Sequence, residues 1–412
     1  MRLTSDWTRP VFDQLDRHLT FDLDRPVAIA VSGGGDSIAL MHLASEWARR
    51  RARPLLVLTV DHGLNADASA WNAGVAAQAR DLGLDWQALV WEGPKPTSGL
   101  PAAARAARHR LLAVAARAMG ARVILMGHTA DDIAEADWMR ARGTAMGQLK
   151  AWSPSPVWPE GHGLMLLRPL LGVPRQTLRD WLAARRLAWI DDPANSDPRF
   201  QRSRARAAGL QPATPTVAEV QPSDLRADPV TGVISGPMET PWLGQAVVCA
   251  GGGETIAPAR ALATLKKRLA GGARAAVLGG ARVQVCGSGL VVMREAGRRP
   301  PGVQSLPVGE AVLWDGRFAF TALEDGWMVG PAGGRRWRLS PGDRAVLNPL
   351  PPPARAVHPI LFRHGDARPV LADRQVNSLC LVPGRLRLAT AQANSEADLD
   401  DRTWRQPDRH PI

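Results

Sequence analysis

The stretch Val27–Met41, VAIAVSGGGDSIALM, decides the reading of this chain. Residues 27–31 form a short, largely β-branched apolar run suited to a buried strand, and an amphipathic stretch from about Ser37 to Arg49 suits a helix. Between them stands Ser32-Gly33-Gly34-Gly35-Asp36-Ser37. Three glycines let the backbone turn tightly and leave no side chain to obstruct a ligand. The following helix directs unpaired N–H groups and its positive end into the turn. Ser32 and Ser37 add hydroxyl donors, so the segment is suited to holding a phosphate or pyrophosphate.

Outward from this turn, short apolar runs alternate with amphipathic stretches, the pattern of βαβ units and a parallel sheet. Strands are expected at Leu55–Val60, Trp86–Val90, Val123–Met126 and Leu164–Leu167. Helices are expected near Trp71–Leu82, Ala102–Met119, from Gly127-His128 onward, and at Pro174–Arg186. The fold class is therefore α/β, an open parallel sheet with helices on both faces, plus a smaller C-terminal α+β region. The expected organisation is a catalytic domain over 1–208 and a Pro/Thr/Gln-rich linker over 209–225. A mixed middle region (226–298), a β-rich domain (299–390) and a polar, disordered tail (391–412) follow.

Three motifs compete for the glycine turn. A Walker A loop needs GxxxxGK[ST], and the chain has no Gly-Lys pair. The dinucleotide fingerprint GxGxxG needs a third glycine where Ile38 stands, although Asp61 after the second strand imitates its ribose-binding acid. Gly35-Asp36-Ser37 resembles a nucleophile elbow, but it follows the first strand and no HGGG-type oxyanion segment is present. The pyrophosphatase loop of N-type ATP enzymes, SGGxDS, matches at every defined position.

A second constellation, Gly127-His128-Thr129-Ala130-Asp131-Asp132-Ile133-Ala134-Glu135, follows the fourth expected strand. Asp132 and Glu135 are three apart and share a helical face, with Asp131 at the helix entrance. Acids there suit capping and the helix dipole, and that alone accounts for two of them. Their position at the C-terminal end of a strand, the ligand-binding edge of open α/β sheets, also suits Mg²⁺ or an incoming ammonium beside a phosphate site.

With these pieces assembled, the chain resembles the tRNA(Ile)-lysidine synthetases of the PP-loop superfamily. The matching segments run in the family's order: SGGGDS (Ser32–Ser37), VDHGLN (Val60–Asn65), AAARAARHRLL (Ala102–Leu112), GHTADDIAE (Gly127–Glu135), RPLLGVPRQTL (Arg168–Leu178) and WIDDPANSDPRFQRSRAR (Trp189–Arg206). Thr129 stands in place of the family's second histidine, and His109 where tyrosine is usual. The resemblance implies an ATP- and Mg²⁺-dependent ligase that adenylates C2 of the wobble cytidine in a tRNA(Ile) with a CAU anticodon. Free L-lysine then attacks C2 to give lysidine, and decoding shifts from AUG to AUA. It implies ATP contacts from Ser32, Gly33, Gly34, Gly35, Asp36, Ser37, Asp61, Arg105, His128 and Arg168. Catalytic roles fall to Asp36, Asp132 and Glu135, and Mg²⁺ to Asp36 and Asp131. Arg199–Arg206 and later arginines are candidates for the RNA.

Composition narrows the alternatives. With 51 Lys+Arg against 39 Asp+Glu the formal charge is +12, which favours a polyanionic partner. The excess is almost entirely arginine, whose planar fork matches phosphate oxygens and stacks on bases. Three dispersed cysteines provide neither a disulfide framework nor the paired thiols of thiocytidine-forming relatives. No apolar run approaches the ~18 residues of a membrane span and no signal-like start is present, so the expected compartment is the cytoplasm, with no membrane association and no obligatory protein partner. An amidating relative and an RNA-binding protein with a vestigial nucleotide loop are the other readings.

Overall fold

The computed structural model describes residues 7–21, 23–65, 67–144, 147–192, 201–215, 223–297, 300–363, 365 and 368–399. The chain divides into two compact units, 1–219 together with 394–399, and 220–393 with the last residues.

The first unit begins with α1 (Thr8–His18), then alternates β1 (Val27–Ala30), α2 (Gly35–Arg50), β2 (Leu55–Asp61), α3 (Ala68–Asp81), β3 (Asp85–Val90), α4 (Leu100–Ala118), β4 (Val123–Met126) and α5 (Ala130–Arg140). β5 (Trp152–Pro154), β6 (Met165–Leu167), α6 (Arg175–Ala184) and α7 (Gln201–Ala207) complete it. The sheet order is β3-β2-β1-β4-β6-β5, parallel except for the β5 edge. The expected parallel α/β sheet is present, and each expected helix lies within a few residues of its place. β5 was not expected: Trp152-Ser153-Pro154 is too short to carry a period.

The strands are apolar on both faces because both are covered. Ala28, Leu56, Leu58, Ile124 and Leu166 pack with Leu112 and Ala116 of α4. The alternate residues Ile29, Val57, Leu125 and Leu167 are equally buried, as a doubly covered parallel sheet requires. Chain order reverses at β1, with β2 on one side and β4 on the other. The segments after β1 and β4 therefore emerge side by side, at the point where such sheets form a ligand crevice.

Residues 394–399 belong to this unit through a buried carboxylate and backbone contacts to His18, with the Glu396 N–H donating to His18 O at 2.7 Å. Glu396 is fully buried, ion-paired to Arg53 at 2.6 Å and Arg25 at 3.3 Å, and accepts the Thr20 N–H at 3.1 Å. Part of the segment expected as a disordered tail is thus placed by a buried pair, while 400–412 lie outside the described residues.

The second unit holds β7 (Arg226–Ala227), β8 (Ile234–Pro237), α8 (Leu243–Gly251), α9 (Ala259–Ala270), β9 (Ala275–Leu278), β10 (Ala281–Cys286) and β11 (Gly289–Arg294). It continues through β12 (Gln304–Ser305), β13 (Ala311–Trp314), β14 (Phe318–Ala322), β15 (Trp327–Pro331), α10 (Pro341–Leu347), α11 (Pro352–Ala356), β16 (Pro359–Arg363), β17 (Val376–Cys380) and α12 (Val382–Ala389). Its sheets are β7-β8-β11-β10-β9, β12-β15-β16 and β13-β14-β17, antiparallel throughout. The regions expected to be separate at 226–298 and 299–390 share one core: Val247, Val283 and Val292 pack in the same cluster as Trp314, Phe320, Val376 and Leu386. α8 lies inside that core with every residue from Leu243 to Gly251 buried except Gln245. Its nearly uniform apolarity gives no periodic signal, which is why a helix there was not expected.

Candidate active site

After β1 the backbone turns at Gly33, whose φ of +88° favours glycine. A Cβ on Gly33 would stand 2.5 Å from Ile190 Cδ1, and the Ile190 N–H donates to Gly33 O at 2.9 Å. The Trp189–Asp191 segment thus braces the loop from behind. Ser37 Oγ donates to Gly34 O at 2.8 Å and accepts the Ser32 N–H at 3.2 Å, with Ser32 Oγ 3.3 Å away. Gly34 caps α2, whose first turn carries Asp36. These bonds tie the loop to the first turn of α2.

Gly127 brings the second motif against the first. A Cβ there would lie 3.1 Å from Asp36 C, Asp36 O and Ser37 Cα, all backbone atoms that cannot move aside. Thr129 caps α5, and Asp132 reaches back to accept from Thr129 N at 2.7 Å and Oγ1 at 3.0 Å. The residue departing from the family pattern therefore serves as a helix cap. Asp132 and Glu135 are buried on the inward face of α5.

Arg175, the first residue of α6, ties the parts into one site. Its backbone N–H donates to Asp131 Oδ2 at 2.7 Å. Its guanidinium reaches Asp36 Oδ2 at 3.1 Å, Glu135 Oε1 at 3.0 Å and Asp132 Oδ1 at 3.4 Å. From α7, Arg202 Nε meets Glu135 Oε2 at 2.8 Å while Arg202 Nη2 pairs with Asp132 Oδ1, and Arg206 Nε meets Glu135 Oε1 at 3.0 Å. Of the basic run named as one candidate for the RNA, Arg202 and Arg206 face carboxylates, because two buried acids demand compensation. Residues 199 and 200 lie outside the described residues. Nothing in the spacing of Arg175, Arg202 or Arg206 announces these pairings. The available signal was Arg175 following Pro174 at a helix start within the RPLL segment.

The carboxylates are differentiated by their surroundings. Burial pushes Asp36 up, with Arg175 opposing. Burial also acts to raise Asp132, but Arg202, His128, Arg175 and the Thr129 N–H together hold it below the usual carboxylate range. The same field acts in reverse on Arg175, whose burial is outweighed by Asp132, Asp36 and Glu135, so its guanidinium is held more firmly protonated.

Beside the acids stands a group of cations without that compensation. Arg168 is buried, with Nη1 donating to Lys150 O at 2.8 Å and Ser153 Oγ at 2.9 Å, and Nε to His128 Nδ1 at 3.2 Å. The last bond requires a neutral His128 with its proton on Nε2. Burial, then Arg168, lowers His128 to about 3. Burial, then Arg108 and Arg105, lowers His109 to about 2. Arg108 itself is pushed down to about 10 by burial and by Arg105 and Arg202, and its Nε finds no hydrogen-bond partner. Arg105 is exposed on α4 and lowered by burial of its head group and by Arg202. An unpartnered buried donor among repelling cations is suited to an anion. Asp61 is not drawn into this group: its Oδ1 accepts the Gly63 N–H at 2.7 Å within its own turn. Among the described residues no three His, Cys, Asp or Glu side chains form a metal cage.

A glycine loop between β1 and α2, facing an acidic helix start after β4, defines a PP-loop ATP-using domain. The PP-loop domain family matches residues 9–212. A tRNA(Ile)-lysidine synthase from Caulobacter vibrioides is 41% identical over 399 residues, covering 93% of this chain and 97% of that protein. The enzyme of the same name from Mesorhizobium japonicum is 33% identical over 409 residues, covering 87% and 88%. The chain belongs to the tRNA(Ile)-lysidine synthase family of ATP-dependent ligases. Among solved structures, the U34-tRNA thiolase NcsA of Methanococcus maripaludis aligns with 49% of this chain and 70% of its own length, at 18% identity and a TM-score of 0.41.

Proposed function

We propose that the chain converts the wobble cytidine of a tRNA(Ile) with a CAU anticodon to lysidine, using ATP and free L-lysine, in a site built from Ser32–Ser37, Asp131, Asp132 and Glu135. The observation that carries this reading is Arg175, which contacts Asp36 of the phosphate loop and Asp131, Asp132 and Glu135 of α5. One residue joining the loop to the acidic helix start, by its guanidinium to three carboxylates and its backbone N–H to Asp131, supports a nucleotide phosphate and an ammonium group being held in adjacent places.

The chemistry has two steps. The C2 carbonyl oxygen of cytidine attacks the α-phosphorus of ATP, forming an O–P bond while pyrophosphate leaves. The lysine ε-amine, having given up a proton, then attacks C2, and the C–O bond breaks to release AMP. A urea-like carbonyl is a poor electrophile, and adenylation converts its oxygen into a leaving group. The loop amides, with the Ser32 and Ser37 hydroxyls, stabilise charge developing on the departing pyrophosphate. Arg105 and Arg168, with the unpartnered Arg108 Nε nearby, offset phosphate charge, and His128 orients Arg168. Asp61 at the end of β2 remains a candidate contact to the nucleotide.

Mg²⁺ in ATP sites takes one or two carboxylates and completes its shell with water and substrate phosphates. Asp36 and the remaining oxygen of Asp131 supply that number beside the loop, so these residues fit an ion that arrives with ATP. When bound, it would neutralise the leaving pyrophosphate. Asp132, held in its ionised form, and Glu135 are already paired with Arg175, Arg202 and Arg206, so they would carry the lysine ammonium in exchange for one of those guanidiniums; Asp36, raised by burial, is more basic than Asp132.

The test is product identity. Purified chain with Mg²⁺, ATP, labelled lysine and the CAU transcript should release AMP and pyrophosphate and label the RNA, with no added protein. Release of ADP and phosphate, or stimulation by an amino acid other than lysine, would overturn the reading.

A further inference from the structure

The second unit carries an arginine cluster of a different kind. Between β15 and α10 the chain runs Gly333-Gly334-Arg335-Arg336-Trp337-Arg338, with Arg336–Arg338 in a single 3₁₀ turn. The turn is well anchored: Ala332 and Gly333 donate to His358 O at 2.9 Å and Ala356 O at 2.8 Å, and Ala332, Leu339, Leu347 and Ile360 form a small core beneath it. On this base Trp337 is 69% exposed, the largest exposure of any large apolar side chain among the described residues. Its Nε1–H donates to Gly334 O at 3.2 Å, which fixes one edge of the indole and leaves most of the ring in solvent. The Arg338 guanidinium lies 4.8 Å from the ring centroid, and Arg335 lies 5.2 Å from that of Phe362.

A single exposed aromatic side chain needs no explanation; its electrostatic setting does. Residues 331–356 contain five arginines and one acid, Asp343. Among the described residues no carboxylate pairs with Arg335, Arg336 or Arg338, whereas Arg363 farther along is paired with Glu324 at 2.6 Å. Fixed positive charge around a rigid, solvent-facing ring is the arrangement that receives an unstacked nucleobase, with base on ring and guanidinium on phosphate. An acidic or apolar protein partner would not need a flat ring held by its edge.

We propose that Trp337, flanked by Arg335, Arg336 and Arg338, is a stacking platform for an unpaired nucleotide of the tRNA substrate. The inference rests on the reading that the chain acts on tRNA. Two parts of a tRNA offer such a base, the single-stranded 3′ end and the anticodon loop, and the chemistry at Trp337 is common to both.

The test uses the full chain and three RNAs: the complete CAU transcript, the same transcript without its unpaired 3′ nucleotides, and the isolated anticodon stem-loop. Trp337→Ala should weaken binding of the complete transcript by about ten- to a hundredfold, the usual range for one base–aromatic stack. Trp337→Phe should retain most of the affinity, and the KM for ATP should not move. If the Ala effect vanishes on the 3′-truncated transcript, the base comes from the 3′ end; if it persists on the stem-loop, it comes from the anticodon loop. Unchanged affinity of Trp337→Ala for the complete transcript overturns the proposal and gives the face to another class of partner, as does equal loss in the Phe and Ala variants. Should Trp337→Ala fail to fold, ultraviolet cross-linking of wild-type protein to the unmodified complete transcript must label Trp337, and its absence from the adduct overturns the proposal. Failure of wild-type protein to bind any of the three RNAs would instead bring down the functional reading itself.

Discussion

The arginines of α6 and α7 and those around Trp337 are chemically identical and serve opposite ends. In the first unit Arg175, Arg202 and Arg206 are consumed by Asp36, Asp132 and Glu135, two of which are buried. In the second, Arg335, Arg336 and Arg338 have no carboxylate among the described residues. Net positive charge therefore does not locate an RNA-binding face. What matters is whether the charge is already cancelled within the fold, and members of a basic run, such as Arg202 and Arg206, can be spent internally.

The largest expected effect tests the phosphate side of the first cluster. Asp36→Asn keeps a hydrogen-bonding group for Arg175 but removes the charge, and AMP formation should fall roughly hundred- to thousandfold. Steady-state pyrophosphate release measures it; a loss below tenfold would show that Asp36 serves the arginine rather than the nucleotide.

Next comes Glu135, on which three arginines converge. Glu135→Gln leaves those cations under-compensated in a buried site, a loss of about 3 kcal/mol, equivalent to a melting shift of roughly 10 °C for a unit of this size. Its KM for lysine should rise more than its KM for ATP. An unchanged melting temperature would break the claim that this cluster is internally neutralised.

Acid stability should separate the units further. His109 and His128 have folded values lowered to about 2 and about 3 from an ordinary 6.5. For a lowered histidine the unfolded chain binds the proton first, so stability is full above pH 6.5 and declines as pH falls toward those folded values. In the second unit His358, lowered to about 4 by burial and then by Arg317, acts in the same direction over a narrower range. Melting curves between pH 5 and 8 should show the first unit losing stability faster, and His109→Gln should flatten that slope. Parallel slopes before and after substitution would refute it.

The smallest effect is the most direct contrast between the two clusters. Arg338→Glu should reduce the slope of log affinity for tRNA against log salt by about one to two, because one uncompensated phosphate contact is removed and reversed. Arg202→Gln should leave that slope nearly unchanged while lowering turnover. Exchanged outcomes, with Arg202 moving the slope and Arg338 not, would invert the assignment of the two clusters.

Much of the first unit was legible in the residues. The run from Val27 to Ser37 fixes strand, turn and helix by local chemistry, because three glycines next to a β-branched strand admit few backbone solutions. Gly127–Glu135 was legible for the same reason, since capping and i,i+3 spacing are local. The second unit was less so. The near-uniform apolarity of α8 conceals its type, and short antiparallel strands depend on partners distant in sequence.

By itself, the sequence determined the glycine loop between strand and helix, the open parallel α/β class of the sheet, the acidic face of α5 and the family to which these belong, all of them consequences of local backbone preference and near-neighbour spacing. Tertiary structure alone decided that Arg175, Arg202 and Arg206 close on those acids, that Glu396 returns to Arg53 from the far end of the chain, and that 226–298 and 299–390 share one core. The reason is desolvation: a buried carboxylate or a nearly uniformly apolar helix must be covered or compensated by whichever residues the fold brings near it, and sequence separation does not enter that requirement.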